Sequence, residues 1–196
     1  MIEYFVNHNP LITYQTSGDT CYIKNIEDYL FFCIIDIAGH GTKKCFMNAQ
    51  KLKKLVESSI GILSFKNIII NLHKNLNGNG AVVLIGKINN KTGEYIYSGV
   101  GNISIKKVNS QNDVKTLNTQ EGIIGIFLPH EIHKVNGRLN NNDYLFIHTD
   151  GIKSSIDLKK YFVYEKSLSK TLNLIMKKEK NIDDALGVLI RYKNEE

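Results

Sequence analysis

The sequence predicts an α+β fold built from layered antiparallel sheets, and three observations carry that expectation. Short segments rich in Ile, Val, Tyr and Phe recur along the chain, most of them bounded by Gly, Asn or Asp as strands are. Several follow one another closely enough to be joined as hairpins, which favours antiparallel pairing over a doubly wound parallel sheet. Helical periodicity is confined to a few stretches. With 196 residues, 42% hydrophobic and 22% charged, the chain reads as one globular domain over 1–196 with enough length to bury a substantial core.

Strands are expected over Leu11 to Thr16, Cys21 to Asn25 and Leu30 to Asp36, the last within the richest apolar run. A helix follows from Lys43 to Ser58, where Cys45, Phe46, Ala49, Leu52 and Val56 recur at three- and four-residue steps with lysines outside. A second helix is expected over Phe65 to Leu76. The segments Ala81 to Ile88 and Tyr95 to Val100 are joined by a loop containing Thr92-Gly93, and this reads as a hairpin. Further strands are expected at Ser104 to Val108, Tyr144 to His148 and Leu186 to Arg191, with a helix over Leu168 to Lys178 before the last. No internal repeat and no Ser- or Gly-rich linker divides the chain.

Composition excludes several classes of function. No apolar run reaches the roughly 18 residues that cross a bilayer, and Met-Ile-Glu-Tyr-Phe at the start has no basic region before a hydrophobic one, so a cytoplasmic protein without membrane attachment is expected. Net charge is +6, yet only Arg138 and Arg191 of 25 basic residues are arginine. Arginine supplies the forked contacts that read guanine and clamp phosphates, so no specific nucleic-acid partner is expected. Cys21, Cys33 and Cys45 are odd in number and lack C-x-x-C spacing, which suits reduced thiols rather than a disulfide or zinc site.

The placement of aspartates is the informative feature. Asp36 ends the strongest strand, Asp150 ends another and precedes Gly151, Asp183 and Asp184 open the last strand, and Asp19 follows Gly18 before a further one. Carboxylates gathered at strand ends suit hard cations such as Mg²⁺ or Mn²⁺, which take oxygen ligands. Taken singly, Asp150 or Asp183 reads more simply as a turn or cap residue.

The order of these residues resembles that in the metal-dependent PPM protein phosphatases (the phosphatase 2C superfamily), in their small bacterial SpoIIE-like branch. The resemblance is carried by Ser17-Gly18-Asp19, by Asp36-Ile37-Ala38-Gly39-His40-Gly41 (the D-x-x-G-H-G pattern) and by Tyr97-Ser98-Gly99-Val100-Gly101-Asn102. It continues in Gly122-Ile123-Ile124-Gly125-Ile126, in Thr149-Asp150-Gly151-Ile152 (the T-D-G pattern) and in Asp183-Asp184. A bare catalytic domain of this length is most similar to the RsbX-like stressosome phosphatases. The resemblance implies a β-sandwich of two antiparallel sheets flanked by helices, with two Mn²⁺ or Mg²⁺ ions at one end. Asp36 would bridge both ions, the Ile37 carbonyl would ligate one, Asp150 and Asp183 would complete the coordination of the second ion, and Asp19 would orient a metal-bound water. A water bridging the ions would attack phosphorus in line, with Asp36 and Asp150 central to catalysis. The implied substrate is a phosphoserine or phosphothreonine on a signalling protein, a phosphorylated STAS-domain scaffold or antagonist.

Departures from the pattern set the alternatives. The terminal motif in the family is D-[DN]-x-[ST], whereas Leu186 stands in the hydroxyl position here. That feature supports a second reading, a degenerate module of the same fold that binds a phosphoprotein without turnover. Either Asp183 or Asp184 can be the ligand, with Asp183 favoured. His40 reads as loop packing between two glycines, and Lys43 or Lys44 at a helix start could assist phosphate binding in place of the arginine of eukaryotic relatives.

Overall fold

The computed structural model describes residues 1–10, 17–39, 42–76, 78–162, 167–180 and 183–194. The strand expected over Leu11 to Thr16, together with His40 and Gly41 of the D-x-x-G-H-G pattern, lies outside the described residues.

Among the described residues ten strands pair into two five-stranded antiparallel sheets. The first has the order β1 (Ile2–Asn9), β10 (Ala185–Tyr192), β9 (Tyr144–His148), β6 (Ser104–Val108) and β7 (Val114–Leu117). In the second, β2 (Asp19–Ile26), β3 (Tyr29–Ile37), β4 (Ala81–Asn89), β5 (Glu94–Val100) and β8 (Val135–Arg138) follow one another. Helices α1 (Lys43–Ser59) and α2 (Phe65–Lys74) cover the outer face of the second sheet, while α3 (Lys159–Phe162) and α4 (Leu168–Glu179) cover that of the first. The result is the expected pair of sheets flanked by helices.

This layering explains why β3 is apolar throughout instead of alternating. Phe32 and Ile34 pack between the sheets with Leu84, Tyr97, Ile147 and Val188, while Cys33 and Ile35 face Ala49, Leu52 and Leu72 on the helices. A strand buried on both faces reads as a continuous hydrophobic run. The helices begin where hydroxyl caps allow: the side chains of Thr42, Ser64 and Ser167 accept from the backbone N–H of Cys45, Asn67 and Lys170. The expected hairpin between β4 and β5 forms, and the Asn89 Oδ1 accepts from the N–H groups of Lys91 and Thr92.

Strands β1, β7 and β8 and the short α3 were not expected from the sequence. Strand β1 is the edge partner of β10, from Ile2↔Tyr192 to Asn9↔Ala185, and its Ile-Glu-Tyr-Phe-Val-Asn-His-Asn lacks a clean period-two pattern. Strands β7 and β8 span four residues each, too short for a periodicity signal. All three cysteines are free thiols; Cys33 and Cys45 are buried and Cys21 is half-buried. No helix among the described residues is long and apolar enough to cross a membrane.

Candidate metal centre

Two strand pairings and two ties between the sheets assemble the site. Register in the second sheet sets Asp19 directly opposite Asp36. In the first sheet β9 and β10 run side by side, so Asp150, just past the end of β9, lies near Asp183 and Asp184, just before β10 begins. The Thr149 hydroxyl joins the two sheets. It donates to Asp19 Oδ2 at 2.8 Å and accepts from the Leu186 N–H at 3.0 Å. The second tie is the Gly18 N–H, which donates to Asp184 Oδ2 at 3.0 Å.

Together the sheets leave a cleft of about 200 Å³ lined by Asp19, Asp36, Asp150, Asp183 and Asp184, with Ile37, Ala38 and Asn102 among the remaining walls. The Asn102 side-chain amide donates to Asp150 Oδ2 at 3.2 Å. Next to the cleft, the Ala38 N–H donates to the Gly80 carbonyl at 2.8 Å and the Ile37 N–H to the Gly18 carbonyl at 3.3 Å, fixing the backbone after Asp36.

The electrostatics are those of crowded, desolvated carboxylates. Burial first and the Asp36 charge second push the Asp19 carboxyl up to about 9, against the pull of the Thr149 hydrogen bond. Asp36 is also raised, by burial and then by the charge of Asp150. No Lys, Arg or His of the described residues lines the cleft. The donor set is therefore all oxygen and short of compensating charge, which fits a hard divalent cation. Among the described residues no group of three or more acidic, histidine or cysteine side chains stands close enough together to hold a metal ion without rearrangement.

Each aspartate singled out in the sequence thus reaches this one cleft. Between the two candidates at the last strand, Asp184 is buried and holds the Gly18 N–H, while Asp183 is half-buried and its Oδ1 accepts from the Asp184 N–H at 2.7 Å. Leu186 does not face the cleft: its side chain is buried between the sheets among Ile34, Ile147 and Val188. The hydroxyl bridging β10 to Asp19 comes from Thr149. Its role and that of Asn102 were not foreseen, although both stand inside motifs already singled out. His148 is fully buried, its ring 4.8 Å from that of Phe146, and burial holds its imidazole well below the usual range, at about 4. It is a neutral core residue.

Comparison with known proteins agrees with this fold. The family model of stage II sporulation protein E (SpoIIE) matches residues 26–191. No curated protein matches. A solved chain from work on the bacterial stressosome, a modular system adapted to control secondary-messenger signalling, is 26% identical, with a TM-score of 0.85 over 97% of this chain and 99% of that one. RsbX in complex with magnesium is 20% identical, with a TM-score of 0.83 over 97% of this chain and 94% of that one. The PP2C phosphatase domain of SpoIIE from Bacillus subtilis, solved with a fragment of its regulatory domain, is 16% identical with a TM-score of 0.80, over 100% of this chain and 63% of that one. The last two likenesses establish the fold. With the family model spanning most of its length, the chain belongs to the SpoIIE family of PP2C-type serine/threonine protein phosphatases.

Proposed function

We propose that the chain removes phosphate from phosphoserine or phosphothreonine on a bacterial signalling protein, a phosphorylated STAS-domain protein, at a centre of two Mn²⁺ or Mg²⁺ ions. The observation that carries this reading is the cleft of five carboxylates drawn from both sheets, with no basic side chain of the described residues on its walls. The fold it shares with RsbX in complex with magnesium, and the 26% identity to a chain from work on the stressosome, support the choice of cation and of substrate class.

In this reading Asp36, Asp150, Asp183 and the Ile37 carbonyl hold the ions. When bound, the ions supply Lewis-acid stabilisation of the phosphoryl oxygens and an activated water. The chain's own part is placement. Register in the second sheet keeps Asp19 across from Asp36, and the Thr149 hydroxyl, itself fixed by the Leu186 N–H, aims the Asp19 carboxylate into the cleft. Asn102 orients Asp150, and Asp184 anchors the turn before Asp19 through Gly18. Leu186 packs in the core between the sheets and all five aspartates line the cleft, which supports turnover rather than binding alone.

The test is hydrolysis of a small aryl phosphate and of a phosphothreonine peptide, with millimolar Mn²⁺ and then with a chelator. Turnover that appears only with metal supports the reading; a folded, metal-loaded sample that hydrolyses neither sinks it.

Thr149→Val keeps the shape of the side chain and removes the bridge between β10 and Asp19. Loss of a hydrogen bond that orients a metal site costs about 10–100-fold in metal affinity or activity, so a Mn²⁺ titration of turnover should shift to higher metal or a lower plateau. Thr149→Ser restores the hydroxyl and should recover most of the loss.

A further inference from the structure

An apolar hairpin stands beside the cleft, exposed and rigid at once. Ile123, Ile126 and Phe127 are 43%, 62% and 59% exposed, three large hydrophobic side chains within five residues. The backbone beneath them is tightly held. The N–H groups of Ile123 and Phe127 donate to each other's carbonyls at 2.8 and 2.7 Å, and Ile124 exchanges both backbone hydrogen bonds with Ala81 at the start of β4. The Gly125 N–H donates to His73 Nδ1 on α2 at 3.0 Å. Gly125 sits at φ +90°, and a Cβ there would meet the Asn79 carbonyl at 2.1 Å, so the tip can be closed only by glycine. A loop that merely connected strands would have no need to hold three apolar side chains in water.

Its position says what the surface meets. Ile123 lines the carboxylate cleft and also a neighbouring groove of about 480 Å³ that runs along Gly101, Thr119 and Gln120, and Val82 and Asn102 are shared by both. A Cβ placed on Gly80 would lie 2.8 Å from Ile123, 3.2 Å from Ile126 and 3.5 Å from Ala38, so the absence of a side chain at Gly80 leaves the hairpin's apolar residues close to the cleft wall. A polypeptide whose phosphorylated side chain enters the cleft continues at roughly 3.3–3.6 Å per residue, and the groove that opens from the cleft leads it along this hairpin.

We infer that the Ile123–Phe127 hairpin reads the substrate: it selects a phosphoprotein segment carrying a large aliphatic or aromatic side chain within about three residues of the phosphorylated position. The inference rests on the phosphatase reading, and it names the occupant of the rim as the substrate chain itself. Covering an exposed Leu-sized side chain changes affinity by roughly 10-fold or more.

Two phosphonate analogues of a short phosphoserine peptide test this, one with leucine on both sides of the phosphonate and one with serine there. Because neither is hydrolysed, fluorescence anisotropy with Mn²⁺ present reads binding without turnover. The leucine peptide should bind the native chain about 10-fold more tightly or better. Ile126→Ser combined with Phe127→Ser should bring the ratio close to one, while Phe127→Leu, which keeps the apolar surface, should retain the preference. Equal binding of both peptides, binding of neither, or a preference that survives the double substitution would overturn the inference. Aryl phosphate turnover by the native chain reports on the metal centre and needs no flanking peptide, so its absence would count against the phosphatase reading alone.

Discussion

Asp36→Asn is expected to abolish turnover and, in metal-free solution, to make the protein more stable. In the proposed two-ion centre Asp36 would bridge both ions, and the substitution turns that carboxylate into a neutral amide. Stability rises because the folded chain keeps Asp36 largely out of water, opposite Asp19 and near Asp150, and burial together with like charge raises its pKa. The sign follows from linkage. Asp19 and Asp36 both titrate above the ordinary aspartate value, so their contribution to stability is complete below about pH 4 and is lost as pH rises through their folded values, up to about 9 for Asp19. In chelator the native chain should therefore melt at progressively lower temperature from about pH 4 towards pH 9. The Asn variant should show a shallower slope, since it removes one titrating group and a charge facing Asp19. Near neutral pH the gain is on the order of 1 kcal/mol or more, or about 2–4 °C per kcal/mol for a domain of this size. Saturating Mn²⁺ should raise the melting temperature of the native chain and leave that of the variant nearly unmoved. A variant that melts lower than the native chain in chelator would show that the carboxylate is not a net cost in the metal-free fold.

Gly151→Ala is expected to be the most damaging single-methyl change near the site. A Cβ at Gly151 would lie 1.8 Å from the Asp184 carbonyl oxygen and 2.7 Å from the Ala185 Cα, both backbone atoms that no rotamer change can move aside. The turn after Asp150 and the start of β10 would have to separate. That separation strains the Thr149–Leu186 backbone hydrogen bond of 3.0 Å and draws Asp150 away from Asp183. Overpacking against backbone costs about 3 kcal/mol or more. Thermal melting should show the loss with and without metal, and the Mn²⁺ concentration for half-maximal turnover should rise. Unchanged melting and unchanged metal dependence would mean that the two segments are not in the close contact described.

Much of the fold was legible because burial writes itself into hydrophobic pattern. Strand β3 and helix α1 stood out, the first as a run buried on both faces and the second as one apolar stripe. The hairpin between β4 and β5 was marked by its turn residues. Strand β1 was not visible, because its place at the edge of the first sheet comes from pairing with a strand near the other end of the chain. Strands β7 and β8 were too short to show a period.

The site divides in the same way. The sequence by itself determined the acidic inventory, since Asp19, Asp36, Asp150, Asp183 and Asp184 stand at strand ends in a recognisable order, and chain order is a property of the sequence. Only the tertiary structure decided what joins them. The hydrogen bond from Thr149 to Asp19 spans 130 positions, and that from Gly18 to Asp184 spans 166. The same holds for Asn102 on Asp150, for Leu186 turned into the core, and for His73, which had no recognisable spacing yet fastens the apolar hairpin through Gly125. Residue type sets what a side chain can donate or accept. Which partner it meets is set by the register of strands and the stacking of two sheets, and both depend on contacts between distant segments of the chain.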